Sequence, residues 1–178
     1  MISFTTMETP VGTLIPYVRI TPSDEQLIAI LWNNEPRRRE LLSAAPSMHP
    51  TAGLLGLVID QLRAYFLGEM QEFTVPLAPA GTEFQRAAWM ALRKIPYGQT
   101  STYASQAERI GRPTAVRAVG AANGRNPIPI IVPCHRVIGS NGALTGFAGG
   151  LDNKRWLLDH ERRVTGLTGH QPDDLQLF

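Results

Sequence analysis

Residues 75–81 interrupt regular structure twice, because Pro76 and Pro79 each lack the backbone N–H that a helix or a central strand needs, and Gly81 follows them. The 178-residue chain is therefore divided near its middle. We predict an N-terminal domain, a linker, a C-terminal domain and a surface tail, over residues 1–75, 76–81, 82–163 and 164–178 respectively.

The two parts of the chain carry opposite charge. Residues 1–80 contain 5 basic and 8 acidic side chains, a net charge of −3, whereas residues 81–163 contain 12 basic and 5 acidic ones, a net charge of +7. A strongly basic domain indicates that its partner is a polyanion such as nucleic acid. A solvated basic surface without a ligand explains the same charge equally well, so the charge alone leaves both interpretations open.

The cysteine content and the apolar runs limit the cellular compartment in which we expect the protein and the kinds of site that it can hold. Cys134 is the single cysteine, which excludes an intramolecular disulfide and a zinc site built from several cysteines. No apolar run reaches the roughly 20 residues of a membrane span, and the first residues lack the basic and apolar stretches of a signal peptide. We therefore expect a cytoplasmic protein that meets no membrane and holds no metal or cofactor.

The N-terminal part is patterned as strands before it turns helical. A turn signal at Pro10 and Gly12 separates two apolar runs, which predicts a hairpin followed by a third strand, over residues 2–7, 13–20 and 26–32. Pro16 lies inside the second run, and proline is typical of an edge strand or a bulged one. Helices are then predicted over residues 36–43 and 51–67, the second from an apolar stripe at helical spacing.

Four helices are predicted after the linker, and the last of them is capped by Asp152 and runs through Glu161. Thr82 and Gln85 form a capping-box pair at the start of the first. The second is capped by Ser101 or Thr102 and runs to residue 110, and the third covers residues 114–122. Two short helices joined by a tight turn are typical of a helix-turn-helix motif, and equally of two packed core helices.

The third helix has an unusual composition. Ala115, Ala118 and Ala122 share one side of it, which we expect to face outward, and Arg117 is its one long basic side chain. A helix that reads the major groove usually carries several long polar side chains, so this face favours the narrow minor groove or another close partner. A buried crossing of two small-residue helices is the alternative.

The cysteine emerges from a segment that we expect to be buried and rigid. Residues 130–132 are β-branched and apolar, prolines flank them, and His135 and Arg136 follow Cys134 directly. Nearby cationic groups lower the pKa of a thiol from about 8.5 and make it nucleophilic. His135 is the candidate proton acceptor and Glu161 its candidate orienter, although neighbouring side chains in a strand point apart, so a turn or a bridging water is needed. An inert buried thiol is the alternative.

The run Pro133-Cys134-His135-Arg136-Val137 resembles the active-site signature of the O6-alkylguanine-DNA alkyltransferases. The resemblance covers residues 82–163 strongly and the first 80 residues only in layout. Its further motifs are Phe84-Gln85, Ile95-Pro96-Tyr97-Gly98, residues 117–124, Asn126-Pro127, the loop from Gly146 to Gly150, and His160-Glu161. It implies an α+β protein, with an N-terminal ribonuclease H-like α/β domain and a C-terminal winged-helix-like domain that contains the helix-turn-helix.

The resemblance also implies a reaction. Cys134 would take an alkyl group, such as methyl, from O6 of a guanine that is flipped out of duplex DNA from the minor groove. His135 would receive the thiol proton through a water, Glu161 would hold the His135 tautomer, and Asn126 would brace the turn before the active-site segment. The thioether has no easy leaving group, so each molecule would react once.

The same resemblance implies the residues that handle DNA and the base. Tyr103 would crowd the target phosphate, and Arg117 would fill the gap left in the base stack. The other DNA contacts would come from Arg112, Thr114, Ala115 and Ser140, and the pocket would be lined by Val137, Phe147 and Ala148. The implied partner is duplex DNA with O6-alkylguanine, or with O4-alkylthymine, bound by a monomer with or without cooperativity along the DNA.

The sequence departs from the family pattern, and other functions compete. Phe147 stands where a tyrosine is usual, and the N-terminal part lacks the cysteines that form a zinc site or a second acceptor in some relatives. A DNA-binding sensor or regulator without repair activity is one alternative, although sensors of that type lack the cysteine. A thiol hydrolase built on Cys134, His135 and Glu161 is another, and it would need an oxyanion hole.

Overall fold

The structure is a computed structural model that describes residues 1–166 apart from 22, 34, 36–46 and 49–52. It forms two compact units, which divide between Ala80 and Gly81. Each unit has its own set of buried apolar side chains. Over the described ranges, no helix is both long and apolar enough to cross a membrane.

A four-stranded sheet forms the first unit. Its strands are β1 (Ile2–Phe4), β2 (Leu14–Ile20), β3 (Glu25–Trp32) and β4 (Ser47–Met48), in the order β3-β2-β1-β4. The predicted hairpin and third strand are confirmed as the antiparallel strands β1, β2 and β3, and β4 joins β1 in parallel. Helix α1 (Gly53–Leu67) packs against β2 and β3. The Glu25 carboxylate accepts a hydrogen bond at 2.7 Å from Leu54 N, in the first turn of α1.

Pro16 does not lie on an edge strand, because β2 has a partner on each side. That half of the prediction is wrong, and the pairing shows why proline is tolerated. The ladder between β1 and β2 is interrupted at Thr5, the position opposite Pro16. The predicted bulge is present, as a shift in the pairing of β2 with β3 between Tyr17 and Val18.

Other expectations for this part fall partly outside the described residues. The helix predicted over residues 36–43 lies outside them, as do residues 51 and 52 at the predicted start of α1 and residues 167–178 of the predicted tail. Residues 76–78, which were assigned to the linker, pair with β3: Leu27 N donates to Pro76 O, and Ala78 N donates to Leu27 O. This stretch of the linker is therefore hydrogen-bonded into the first unit.

The second unit consists of short helices around a two-stranded ladder. Its elements are α2 (Glu83–Leu92), β5 (Ser101–Thr102), α3 (Tyr103–Arg109), α4 (Val116–Gly124), a 3-10 turn (Cys134–Arg136), β6 (Val137–Ile138) and α5 (Leu151–Val164). The capping box of Thr82 and Gln85 is present, and Thr102 caps α3 as predicted. Helix α4 begins two residues later than predicted, and α5 is capped by Gly150 rather than by Asp152, which instead occupies the first turn.

Buried amides fix the packing of α3 against α4. Gln106 Nε2 donates to Asn123 Oδ1 at 2.9 Å, and Asn123 Nδ2 donates back to Gln106 Oε1 at 2.7 Å. Gln106 Nε2 also donates to Ala88 O of α2. Because every partner is satisfied, this pair specifies one arrangement of the two helices.

Candidate active site

The segment that carries the cysteine has a strained backbone. Residues 128–134 are buried, and Ile130 adopts a left-handed conformation with φ of 75°. This region is rare for a β-branched residue and costs of order 1–3 kcal/mol. The segment leads into the 3-10 turn, in which successive side chains point about 120° apart. The turn that the sequence required between Cys134 and His135 is thus present.

Asn126 ties this segment to the end of α4. Its Nδ2 donates to Val132 O at 2.7 Å and to Cys134 Sγ at 3.2 Å, and its Oδ1 accepts from Ile128 N at 3.1 Å. These are the contacts that a brace of the turn would make. The bond to sulfur is an addition that the sequence did not indicate, and a donor at this position favours the thiolate.

His135 and Glu161 form a buried pair, with 2.7 Å between Nε2 and Oε1 and side-chain exposures of 0% and 1%. Burial alone would raise the pKa of Glu161, but the charges of His135 and Arg136 and the hydrogen bonds from them hold it well below its ordinary value. An ionised carboxylate only accepts hydrogen bonds, so His135 Nε2 carries the hydrogen and Nδ1 is the basic nitrogen. Burial lowers the pKa of His135 despite the opposing pull of Glu161, so the ring takes up a second proton less readily than a free imidazole does.

Two buried cations at this site were not singled out from the sequence as site residues. Arg136 donates to Glu161, with 2.9 Å between Nε and Oε2. Lys154 Nζ donates to the carbonyl oxygens of Val137 and Thr145, at 2.6 and 2.7 Å. A signal for Lys154 did exist, because it lies on the same face of α5 as the buried residues Leu157, Leu158 and Glu161.

Lys154 acts on both the loop and the sulfur. Burial lowers its pKa to about 8, while the negative charge of an ionised Cys134 opposes that decrease. Because the attraction is mutual, a protonated Lys154 favours the thiolate of Cys134. Its hydrogen bonds join β6 to the glycine-rich loop at residues 145–150.

Tyr103, a predicted DNA contact, and the three predicted pocket residues differ in how closely they approach this network. Tyr103 OH donates at 3.1 Å to Thr145 O, the oxygen that also accepts from Lys154. The Phe147 ring lies edge-on to His135, with 6.4 Å between ring centroids. Val137 is buried in β6, whereas Ala148 is exposed in the glycine-rich loop.

The candidate DNA contacts lie on the outside of the second unit. Arg112, Thr114 and Arg117 are exposed, and Ala115 is half-buried at the start of α4. Ser140 is also exposed, in the turn after β6, on a different segment from α4. These side chains do not contribute to the buried cluster around His135.

The expected outer alanine face of α4 is wrong at one position. Ala122 is 3% exposed, and its carbonyl oxygen accepts a hydrogen bond from Trp89 Nε1 at 2.9 Å. At about 100° per residue, position 122 lies between the directions of Ala118 and the buried Val119, so the predicted stripe crosses from the outside to the core. The exposed residues beside Arg117 are Ala118 and Ala121.

Comparisons with known proteins agree over both units. A family model described as "6-O-methylguanine DNA methyltransferase, ribonuclease-like domain" matches residues 2–79, and one described as "6-O-methylguanine DNA methyltransferase, DNA binding domain" matches residues 83–163. The methylated-DNA–protein-cysteine methyltransferase of Mycolicibacterium paratuberculosis is 46% identical over 178 residues, 100% of this chain and 99% of that protein. The Methanosarcina acetivorans protein of the same name is 64% identical over 101 residues, 57% of this chain and 65% of that protein.

Solved structures resemble the chain as well. The crystal structure of Mycobacterium tuberculosis OGT in complex with DNA has a TM-score of 0.80 and 43% sequence identity, and the match covers 91% of this chain and 94% of that one. The M. tuberculosis O6-methylguanine methyltransferase structure also has a TM-score of 0.80, with 92% of this chain and 94% of that chain covered.

Proposed function

The chain belongs to the 6-O-methylguanine DNA methyltransferase family and repairs DNA by transferring an alkyl group to a cysteine of its own, and we propose that Cys134 is the acceptor. The residues around Cys134 have separate roles in the reaction. The observation that carries the proposal is the surroundings of the sulfur. Cys134 Sγ accepts a hydrogen bond from the buried Asn126 amide, and the next residue of the turn is His135, paired with Glu161.

The reaction is a displacement at the alkyl carbon. The Cys134 sulfur forms a bond to that carbon as the bond from the carbon to O6 breaks, and the electron pair of the broken bond stays on the guanine, which takes up a proton from solvent. The thiol proton passes to Nδ1 of His135, through a bridging water. Glu161 fixes the tautomer and stabilises the imidazolium that forms, while Asn126 and Lys154 stabilise the thiolate before attack.

Binding to DNA is assigned to the exposed side of α3 and α4. Arg117 fills the space in the stack when the base leaves it, and the small side chains of Ala118 and Ala121 let the helix approach a narrow groove. Tyr103 acts at the phosphate of the target nucleotide, and Arg112, Thr114, Ala115 and Ser140 contact the strands around it. Val137, Phe147 and Ala148 line the pocket that receives the base.

Three finer points belong to the same proposal. The protein acts as a monomer on duplex DNA, O6-alkylguanine is the principal substrate and O4-alkylthymine a further one. It works in the cytoplasm, because Cys134 has to remain a reduced thiol to act as the acceptor.

The test is the mass of the intact protein after incubation with a duplex that contains O6-methylguanine. Wild-type protein should gain the mass of one methylene, located at Cys134 by peptide mapping, and no further mass on longer incubation. Cys134→Ala should fold and bind the duplex without gaining mass, because alanine is a small apolar replacement in a buried position. Methylation of Cys134→Ala in the same yield as wild type would show that the acceptor lies elsewhere.

A further inference from the structure

Arg136 encloses the carboxylate of Glu161. Arg136 Nε donates to Oε2 at 2.9 Å and to Oε1 at 3.2 Å, and Arg136 Nη2 donates to Oε1 at 3.0 Å. The other terminal nitrogen of Arg136, Nη1, donates to Ile95 O at 2.7 Å. The guanidinium carbon also lies 5.5 Å from the centroid of the Tyr97 ring. Arg136 is thereby held on several sides, with only 7% of its side chain exposed.

Glu161 consequently has all of its accepting positions directed at protein donors. Oε1 accepts from His135 and from Arg136, and Oε2 accepts from Arg136 and from Gly98 N at 3.0 Å. A carboxylate fixed at both oxygens cannot rotate away from the imidazole. The position of His135 Nε2, and with it the choice of Nδ1 as the basic nitrogen, therefore depends on Arg136 through Glu161.

We propose that Arg136 is a positioning residue for alkyl transfer, which holds the Glu161 carboxylate in the orientation that leaves Nδ1 of His135 able to accept the thiol proton. This inference deepens the proposed function and rests on it. Arg136 touches neither the sulfur nor the base in this role. It acts through Glu161 and through its charge on the imidazole.

The charges around His135 give the sign of the effect. The titratable and charged groups that face it or its immediate partners are Glu161 and Lys154 from α5, Cys134 and Arg136 from its own turn, Tyr97 from the loop before β5 and Tyr103 from α3. Arg136 and Lys154 oppose a positive charge on His135, and Glu161 favours it. Removing the Arg136 charge takes away a repulsion and frees Glu161 to bind an imidazolium more strongly. The His135–Glu161 pair should then bind a proton at higher pH.

The experiment measures alkyl transfer from free O6-methylguanine base as a function of pH, which leaves DNA binding out of the readout. In Arg136→Met, the acidic midpoint of the rate–pH curve should rise by about one pH unit, so the rate below that midpoint should fall about tenfold. Arg136→Lys keeps the positive charge but loses the bidentate hydrogen bonds to Glu161. The acidic midpoint of its rate–pH curve should therefore stay near that of wild type, while its maximal rate falls. A purely structural role would lower the rate at every pH and leave the midpoint unchanged.

Two further measurements keep the outcome decisive. The pKa of His135, followed by NMR and assigned by the loss of its signal in His135→Asn, should rise in Arg136→Met, and this test does not require activity. Arg155→Met, on the exposed side of α5, removes one positive charge elsewhere and should move neither quantity. If Arg136→Met does not fold, Arg136→Gln retains an amide donor for Glu161 and makes the same comparison.

The results separate the two proposals. An unmethylated wild-type protein would refute the assignment of Cys134, and the NMR titration would still decide the role of Arg136. A methylated wild-type protein, together with an unshifted midpoint and an unshifted His135 pKa in the folded Arg136 variants, would refute the role of Arg136 alone. A shift of equal size in Arg155→Met would also overturn it, because the effect would then come from net charge.

Discussion

Replacing Asn126 by alanine should separate the stability of the turn from the reactivity of the sulfur. The substitution leaves Ile128 N buried without its acceptor, and it removes one of the two donors to Val132 O, which keeps the bond from Cys134 N at 2.8 Å. An orphaned buried N–H costs about 1–3 kcal/mol and one lost hydrogen bond about 1 kcal/mol, so the free energy of unfolding should fall by about 2–4 kcal/mol. Urea denaturation measures this loss, and a domain of ordinary stability, about 5–15 kcal/mol, survives it.

The effect on chemistry follows from the third hydrogen bond. Asn126 Nδ2 lies 3.2 Å from Cys134 Sγ, and a hydrogen bond to a charged partner contributes about 1.5–3 kcal/mol. Losing it should move the pH at which transfer from free O6-methylguanine reaches half its maximal rate upward, by about one to two units. At a pH below the midpoints of both proteins, the rate should therefore fall about 10- to 100-fold.

Asn123→Ala is the matched control. Asn123, in α4, has a buried side-chain amide as Asn126 does, but the Asn123 amide bonds with Gln106 and not with the cysteine. The control should lose a similar amount of stability and keep the wild-type midpoint. The reasoning is refuted if both variants shift the midpoint equally, or if Asn126→Ala loses stability and keeps the wild-type rate–pH curve.

Three other substitutions test separate parts of the site. Arg117→Ala should slow repair of methylated guanine in duplex DNA by about 5- to 30-fold at saturating protein, for a contact of about 1–2 kcal/mol, and leave transfer from the free base near wild type; an equal loss on both substrates would contradict a role in the base stack. Burial holds the pKa of His135 below 6.5, so on acidification His135 is protonated in the unfolded chain before it is protonated in the folded one. The free energy of unfolding, measured with urea, should therefore fall below pH 6.5 by up to about 1.4 kcal/mol per pH unit, and His135→Gln should reduce that slope. An unchanged slope in His135→Gln would count against a lowered pKa of His135. Lys154→Met deprives two carbonyl oxygens of a donor and should slow transfer from the free base and from duplex DNA alike, and a defect confined to duplex DNA would show that Lys154 serves DNA binding instead.

The features that the sequence predicts best are those whose partners lie within a few residues. The capping box of Thr82 and Gln85 and the cap at Thr102 each close hydrogen bonds over three positions, so the local sequence contains both partners. The hairpin of β1 and β2 is set in the same way by its turn. The lone Cys134 beside His135 pointed to a reactive thiol, and only the resemblance to a family made that interpretation specific.

The features that sequence reasoning missed depend on contacts between distant elements. Pro16 lies in a strand with two neighbours because β1 is broken at the matching position, which no pattern within β2 reveals. Ala122 is buried where α4 packs against α2, whose Trp89, 33 residues earlier, donates to the Ala122 carbonyl oxygen. The hydrogen bonds from Arg136 to Glu161 join residues that are 25 positions apart in the sequence, and they depend on the packing of α5 against the 3-10 turn. Residues of this kind are visible only after the helices have been placed.

The reciprocal amide pair of Gln106 and Asn123 also limits how this sequence can drift. An apolar residue at either position leaves the other amide buried with unmet donors and acceptors, whereas replacing both with apolar groups of matching shape can be nearly neutral. Two acceptable sequences are thus separated by an unfavourable single-substitution intermediate. In a library of variants, the two positions should change together or stay unchanged, and a designer who wishes to vary the helix pair has to randomise them jointly.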